Sequence, residues 1–132
     1  MKLGRALAAL FAAPAVAQAA PAGTYVCLTE HIRWYAGPQA GETAELVGGE
    51  LQLNVIADRN LLWEYDDGNS VHNGLPLEIE YKPKGRDELF ARVPDGGMAI
   101  RIALATEPMT FAALDTKAVL SGICYFQPRV TP

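Results

Sequence analysis

Two histidines, His31 and His72, are the side chains best placed by type to move protons near neutral pH. A hydrolytic site built on them would take Ser70 as nucleophile, a histidine as base and an aspartate to orient that base. Ser70 lies in Tyr65-Asp66-Asp67-Gly68-Asn69-Ser70-Val71-His72-Asn73-Gly74, a stretch of turn formers with no Gly-x-Ser-x-Gly elbow. His31 lies far upstream, in Thr29-Glu30-His31-Ile32-Arg33-Trp34-Tyr35. Nothing in the spacing brings the two together. A metal site would need ligands at a recognisable spacing, and none is present. Asp66-Asp67-Gly68-Asn69 is oxygen-rich but does not match a helix-flanked calcium loop. Fifteen acids offer many carboxylate pairs, so no glycosidase pair stands out. No phosphate loop, dinucleotide fingerprint or haem motif occurs. The expectation is a protein that is not an enzyme and has no metal or cofactor.

The two cysteines carry the clearest chemistry. Cys27 lies near the start of the mature chain and Cys124 near its end. There is no Cys-x-x-Cys, and no histidine sits next to Cys124, so a redox or nucleophilic role lacks support. In an exported chain two cysteines pair. Closing a loop of about 100 residues is worth roughly 4–5 kcal/mol in the chain-entropy model. That is comparable with the whole stability of a small domain.

Recognition chemistry points to Arg33-Trp34-Tyr35, residue types that dominate binding hot spots. Neighbouring residues on an extended strand face opposite ways, so Trp34 and Tyr35 cannot both enter a core. One is left at the rim as a candidate partner contact, with Arg33 beside it. Trp63 and Tyr65 share a strand face with Leu61, and the core is their expected place.

The chain begins as an export signal. Met1-Lys2-Leu3-Gly4-Arg5 is a cationic start, an Ala-rich apolar stretch follows to Val16, and Ala17-Gln18-Ala19 presents small residues for cleavage. The apolar stretch is too short to span a bilayer. The expectation is a secretory signal over 1–19, a single domain over 20–132, and a bacterial periplasmic or secreted location. Two of the 11 cations, Lys2 and Arg5, lie in the signal, leaving 9 against 15 acids and a mature charge of −6. That argues against nucleic acid and against an anionic membrane surface. No later stretch is long and apolar enough to cross a membrane. A monomer or weak oligomer is expected.

The elements that must position these residues are strands. Leu51, Leu53 and Val55 alternate with polar residues; so do Leu75, Leu77, Ile79 and Tyr81, and Met98, Ile100, Ile102 and Leu104 alternate with small or polar ones. Period-two alternation marks half-buried antiparallel strands. Weaker runs cover 24–32, 61–65, 88–93, 109–114 and 118–126. Gly, Asn, Asp and Pro punctuate them at turns. A longer loop is expected between Asp67 and Gly74, and the best helical stretch is 41–47. About eight strands with tight links make an all-β antiparallel meander. A Cys27–Cys124 bridge requires the first and last strands to be neighbours, which favours a closed barrel; a β-sandwich is the alternative.

In outline this resembles the membrane-bound and periplasmic inhibitors of C-type lysozyme. Tyr25-Val26-Cys27 after the signal and a disulfide-closed β-barrel carry the likeness. The family's Ser-Gly-rich inhibitory loop is not recognisable, since Ser121-Gly122 lies inside the last strand beside Cys124. The leading expectation is an exported non-catalytic β-domain that binds a protein partner or acts as an inhibitor. The alternatives are a lipocalin-like small-molecule carrier and, last, a small hydrolase using His31 and His72.

Overall fold

Alternation along each run decides the architecture, because a strand with one apolar face must bury it against others like itself. The computed structural model describes residues 19–82 and 87–130. Residues 1–18, all but the last of the expected signal 1–19, the expected turn 83–86, and residues 131–132 lie outside the described residues. Among the described residues ten strands follow one another: β1 (Gly23–Trp34), β2 (Thr43–Glu45), β3 (Leu51–Ile56), β4 (Leu61–Asp66), β5 (Asn69–Pro76), β6 (Glu78–Lys82), β7 (Glu88–Arg92), β8 (Met98–Ala103), β9 (Met109–Asp115) and β10 (Ala118–Pro128). No helix among the described residues is long and apolar enough to cross a membrane.

All pairings are antiparallel, in the order β5-β4-β3-β1-β10-β9-β8-β7-β6, with β2 added on β1 beyond the end of β3. The two end strands, β5 and β6, are separated in sequence only by Leu77. They act as one long bent strand, the first half pairing with β4 and the second with β7. That continuity bends the sheet until it is nearly closed into a barrel. The first and last strands lie side by side, joined by the Cys27–Cys124 disulfide.

The inward positions fill the centre. Leu53, Leu77, Ile100 and Ile102 are all buried, as their central places in the alternating runs imply. Leu62, Leu89 and Val55 join them with no exposed surface.

Three expectations are corrected. Residues 41–47 form no helix; they carry the short strand β2, whose Thr43, Ala44 and Glu45 are drawn onto the free edge of β1. The expected loop between Asp67 and Gly74 is mostly strand. Asp67 and Gly68 have φ of 50° and 80° and form a tight hairpin turn, and β5 begins at once with Asn69. The Asp-Gly pair is the signal for such a turn. Two extra residues on β5, opposite Leu62–Glu64 and Glu64–Tyr65, break its alternation and hide it. Trp63 and Tyr65 face outward, half-buried, with ring centroids 6.3 Å apart. Leu62 faces the core in their stead, because its cross-strand partner Val55 is the inward residue of β3.

Candidate functional site

The expected contact residues are sorted by a bulge. Thr29 pairs with Gly122 and His31 with Ser121, so Glu30 is an extra residue in β1. Before the bulge the odd residues Tyr25, Cys27 and Thr29 point inward; after it the even ones do. Trp34 therefore packs against the core, while Arg33 and Tyr35 face solvent. The Tyr35 hydroxyl donates to the Asp115 carbonyl, which ties the exposed ring to the end of β9.

Outside the barrel, register places other residues beside Arg33. Arg92, Ala99, Leu114, Val119 and Arg33 lie directly opposite one another in turn across β7, β8, β9, β10 and β1. At about 4.8 Å per strand the row spans roughly 19 Å. Its middle is apolar and open: Leu114 is 53% and Val119 38% exposed, with Tyr35 49% exposed nearby. A second row, Phe90, Arg101, Ala112, Ser121 and His31, runs alongside the first. Two clefts of about 360 Å3 each flank the Leu114–Val119 ridge. One holds Arg33, His31 and Glu45; the other holds Arg92, Tyr35 and Phe90.

The cations of this face differ in how they are held. The Arg92 guanidinium is fixed on Glu78 by contacts of 2.7 and 2.9 Å. Arg101 lies 3.7 Å from Glu88 and 6.0 Å above the Phe90 ring. Arg33 takes part in none of the ion pairs among the described residues.

The histidines are kept apart. His31 is outward on β1, across from Glu45 of β2. His72 is on β5, three strands away, with its Nε2 3.6 Å from Glu64 Oε2. Ser70 hydrogen-bonds Asn73, not a histidine. Glu64 shares the inward side of β4 with Leu62 and lies across from buried Leu53. Burial raises its pKa above the ordinary range; the Asp115 and Asp66 charges add to this and His72 opposes it. Among the described residues no group of three or more His, Cys, Asp or Glu is arranged to hold a metal ion.

At the opposite end a cleft of about 370 Å3 opens where β6 has no second neighbour, lined by Ala57, Asp58, Ile79, Glu80 and Tyr81 among others. Asp58 closes this end. It accepts a 3.0 Å hydrogen bond from the Gly23 N–H and pairs with Arg129. Burial would push its carboxyl up, but these two groups, its own N–H and Arg59 together hold it below the usual value. The clefts described here all open at the surface, and none is lined by Leu53, Leu62, Leu89, Ile100 or Ile102.

Reading the chain residue by residue singles out Arg33 and Tyr35 but not Arg92, Leu114 and Val119, which the register sets on the same outer face. Their signal was parity alone: each sits between inward residues of an alternating strand. Which outward residues adjoin is set by pairing across five strands. Comparison with protein-family models, with curated proteins and with solved structures gives no match to this chain.

Proposed function

We propose that this protein is an exported, non-catalytic binding domain that works by docking a protein partner, as an inhibitor would. The observation that supports it is the contiguous exposed surface of Leu114, Val119 and Tyr35 beside Arg33 on one sheet face. Exposed aliphatic and aromatic side chains grouped beside arginine have the composition of interface hot spots. The separation of His31 from His72 and the filled barrel centre lend no support to the hydrolase or to the carrier. The disulfide is in keeping with an oxidising compartment outside the cytoplasm.

The test is site-specific crosslinking in the exporting cell. A photoreactive residue at position 35 should yield a discrete protein adduct, and one at position 82, on the far strand β6, should not. Equal labelling from both positions, or none from position 35, would refute the binding reading.

A further inference from the structure

Beyond the protein-docking reading, and on a different face, we infer that the outer side of β4, β3, β1 and β10 is a platform for a neutral oligosaccharide. Trp63 and Tyr65 stack on its sugar rings, and Gln52 and Asn54 hydrogen-bond its hydroxyls. Register sets three rows of four outward residues there, running from Tyr65, Trp63 and Leu61 on β4 to Ile123, Tyr125 and Gln127 on β10. None of these residues is charged, in a chain that is 20% charged. Glu64 and Asp66 of β4 have the inward parity, Glu30 sits in the bulge, and Arg59, Asp67 and Arg129 come past the strand ends. The middle row is Trp63-Asn54-Val26-Tyr125, and Tyr65-Gln52-Leu28-Ile123 runs beside it. Each amide therefore stands directly across from an aromatic residue.

The chemistry of this face selects the ligand. The Trp63 and Tyr65 rings lie 6.3 Å apart and are inclined by 29°. An aromatic face is electron-rich and attracts the C–H bonds on the flat side of a pyranose, while the polar edge of the ring stays free to hydrogen-bond. Gly74 of β5 leaves the indole edge open, since a Cβ there would lie 3.8 Å from Trp63 Nε1. The Gln52 amide donates to the Asn54 carbonyl oxygen at 2.8 Å. That bond orients both groups and leaves Asn54 an NH2 donor and Gln52 an oxygen acceptor, the pair that neighbouring hydroxyls need. The aliphatic residues are sunk: Val26 is 3% exposed, and of the large apolar side chains on this face only Tyr125, at 50%, is open. A lipid surface or an apolar protein anchor finds little to hold. Size points the same way. Four strands and three rows span roughly 14 Å each way, about 200 Å2. A stable protein interface needs about 800 Å2 on each partner. An uncharged face also offers nothing to a phosphate or a carboxylate.

Titration of cellotriose, maltotriose and triacetylchitotriose into the oxidised protein tests the inference. At least one should bind at millimolar concentration and change the tryptophan fluorescence, through Trp63, because Trp34 packs on the core. Amide NMR shifts of the unaltered protein should move at Gln52, Asn54, Trp63 and Tyr65 and stay fixed at Arg92 and Arg101. Trp63→Ala and Asn54→Ala should each weaken the bound sugar by about tenfold or more, with melting curves showing that both variants fold. Trp63→Phe should keep part of the affinity. Added salt should leave it unchanged, since neither side of the contact is charged. Absence of binding by all three sugars, shifts confined to other residues, or indifference to both variants overturns the proposal. Concentration-dependent dimerisation lost in Trp63→Ala gives the face to a second copy and likewise overturns it. So does cosedimentation with phosphatidylcholine vesicles that Trp63→Ala abolishes, which gives the face to lipid.

Discussion

Cys27 and Cys124 stand directly opposite each other in the β1–β10 register, with Cα atoms 4.0 Å apart. So close a pair is of the narrow, non-hydrogen-bonded kind in an antiparallel ladder. The bridge joins residues 97 apart in sequence and locks together two strands that pair along most of their length. Both sulfurs lie in the core. Thiol labelling of the unfolded, unreduced protein should find no free thiol. Cys124→Ser should lower stability by about 2–5 kcal/mol. A smaller loss would mean that the strand pairing holds without the bridge.

The inward and outward sides of β8 predict opposite outcomes for neighbouring residues. Ile100 is buried, and Ile100→Ala should cost about 2–5 kcal/mol in chemical denaturation. Arg101 is exposed, and Arg101→Ala should stay within about 0.5 kcal/mol. Equal, small losses from both would contradict the register of β8 on β7 and β9.

Gly122 allows the bulge at Glu30. A Cβ on Gly122 would collide with the Leu28 carbonyl oxygen and come within 3.0 Å of the Glu30 nitrogen, both backbone atoms that cannot swing away. Gly122→Ala should therefore destabilise by at least the about 1–3 kcal/mol of an overpacked core. Backbone NMR shifts should change across residues 28–31, and an unperturbed spectrum would refute the close approach. Since the bulge sets which residues of β1 face out, this variant should also disturb Arg33 and Tyr35.

Glu64 gives a pH dependence of definite sign. Its folded pKa is raised, by burial first, above the ordinary value of 4.5. Its stabilising contribution is complete below the unfolded pKa and is lost as pH rises through the folded one. Ionised Glu64 is thus a cost at neutral pH. Glu64→Gln should raise the melting temperature at pH 7, and the gain should vanish on acidification below about pH 4.5. A Gln variant that melts lower at pH 7 would show that the His72 contact outweighs burial.

Export should leave its own mark. Intact mass of the exported protein should place its first residue at Ala20, after Ala17-Gln18-Ala19. Exported material that retains residues 1–19 would sink the signal reading.

The strands themselves were written in the sequence. The alternating runs at Leu51–Val55 and Met98–Leu104 fall on β3 and β8, and the run Leu75–Tyr81 is divided at Leu77 between β5 and β6, because period two buries one face of an extended chain. The disulfide and the adjacency of first and last strands followed from two cysteines in two such runs. The side chosen by β4 was not legible, since Leu61, Leu62 and Trp63 are all apolar and local pattern cannot rank them. Pairing with Val55 on β3 made that choice. Nor was the order of outward residues legible. Trp34 and Tyr35 had to diverge, but only the bulge at Glu30, held open by Gly122, sent Trp34 inward and Tyr35 out. Arg92 and Val119 are 27 positions apart in sequence and share a row only through two intervening strands. A surface of that kind is a property of register across the sheet, and register is fixed by long-range pairing that no local stretch of sequence contains.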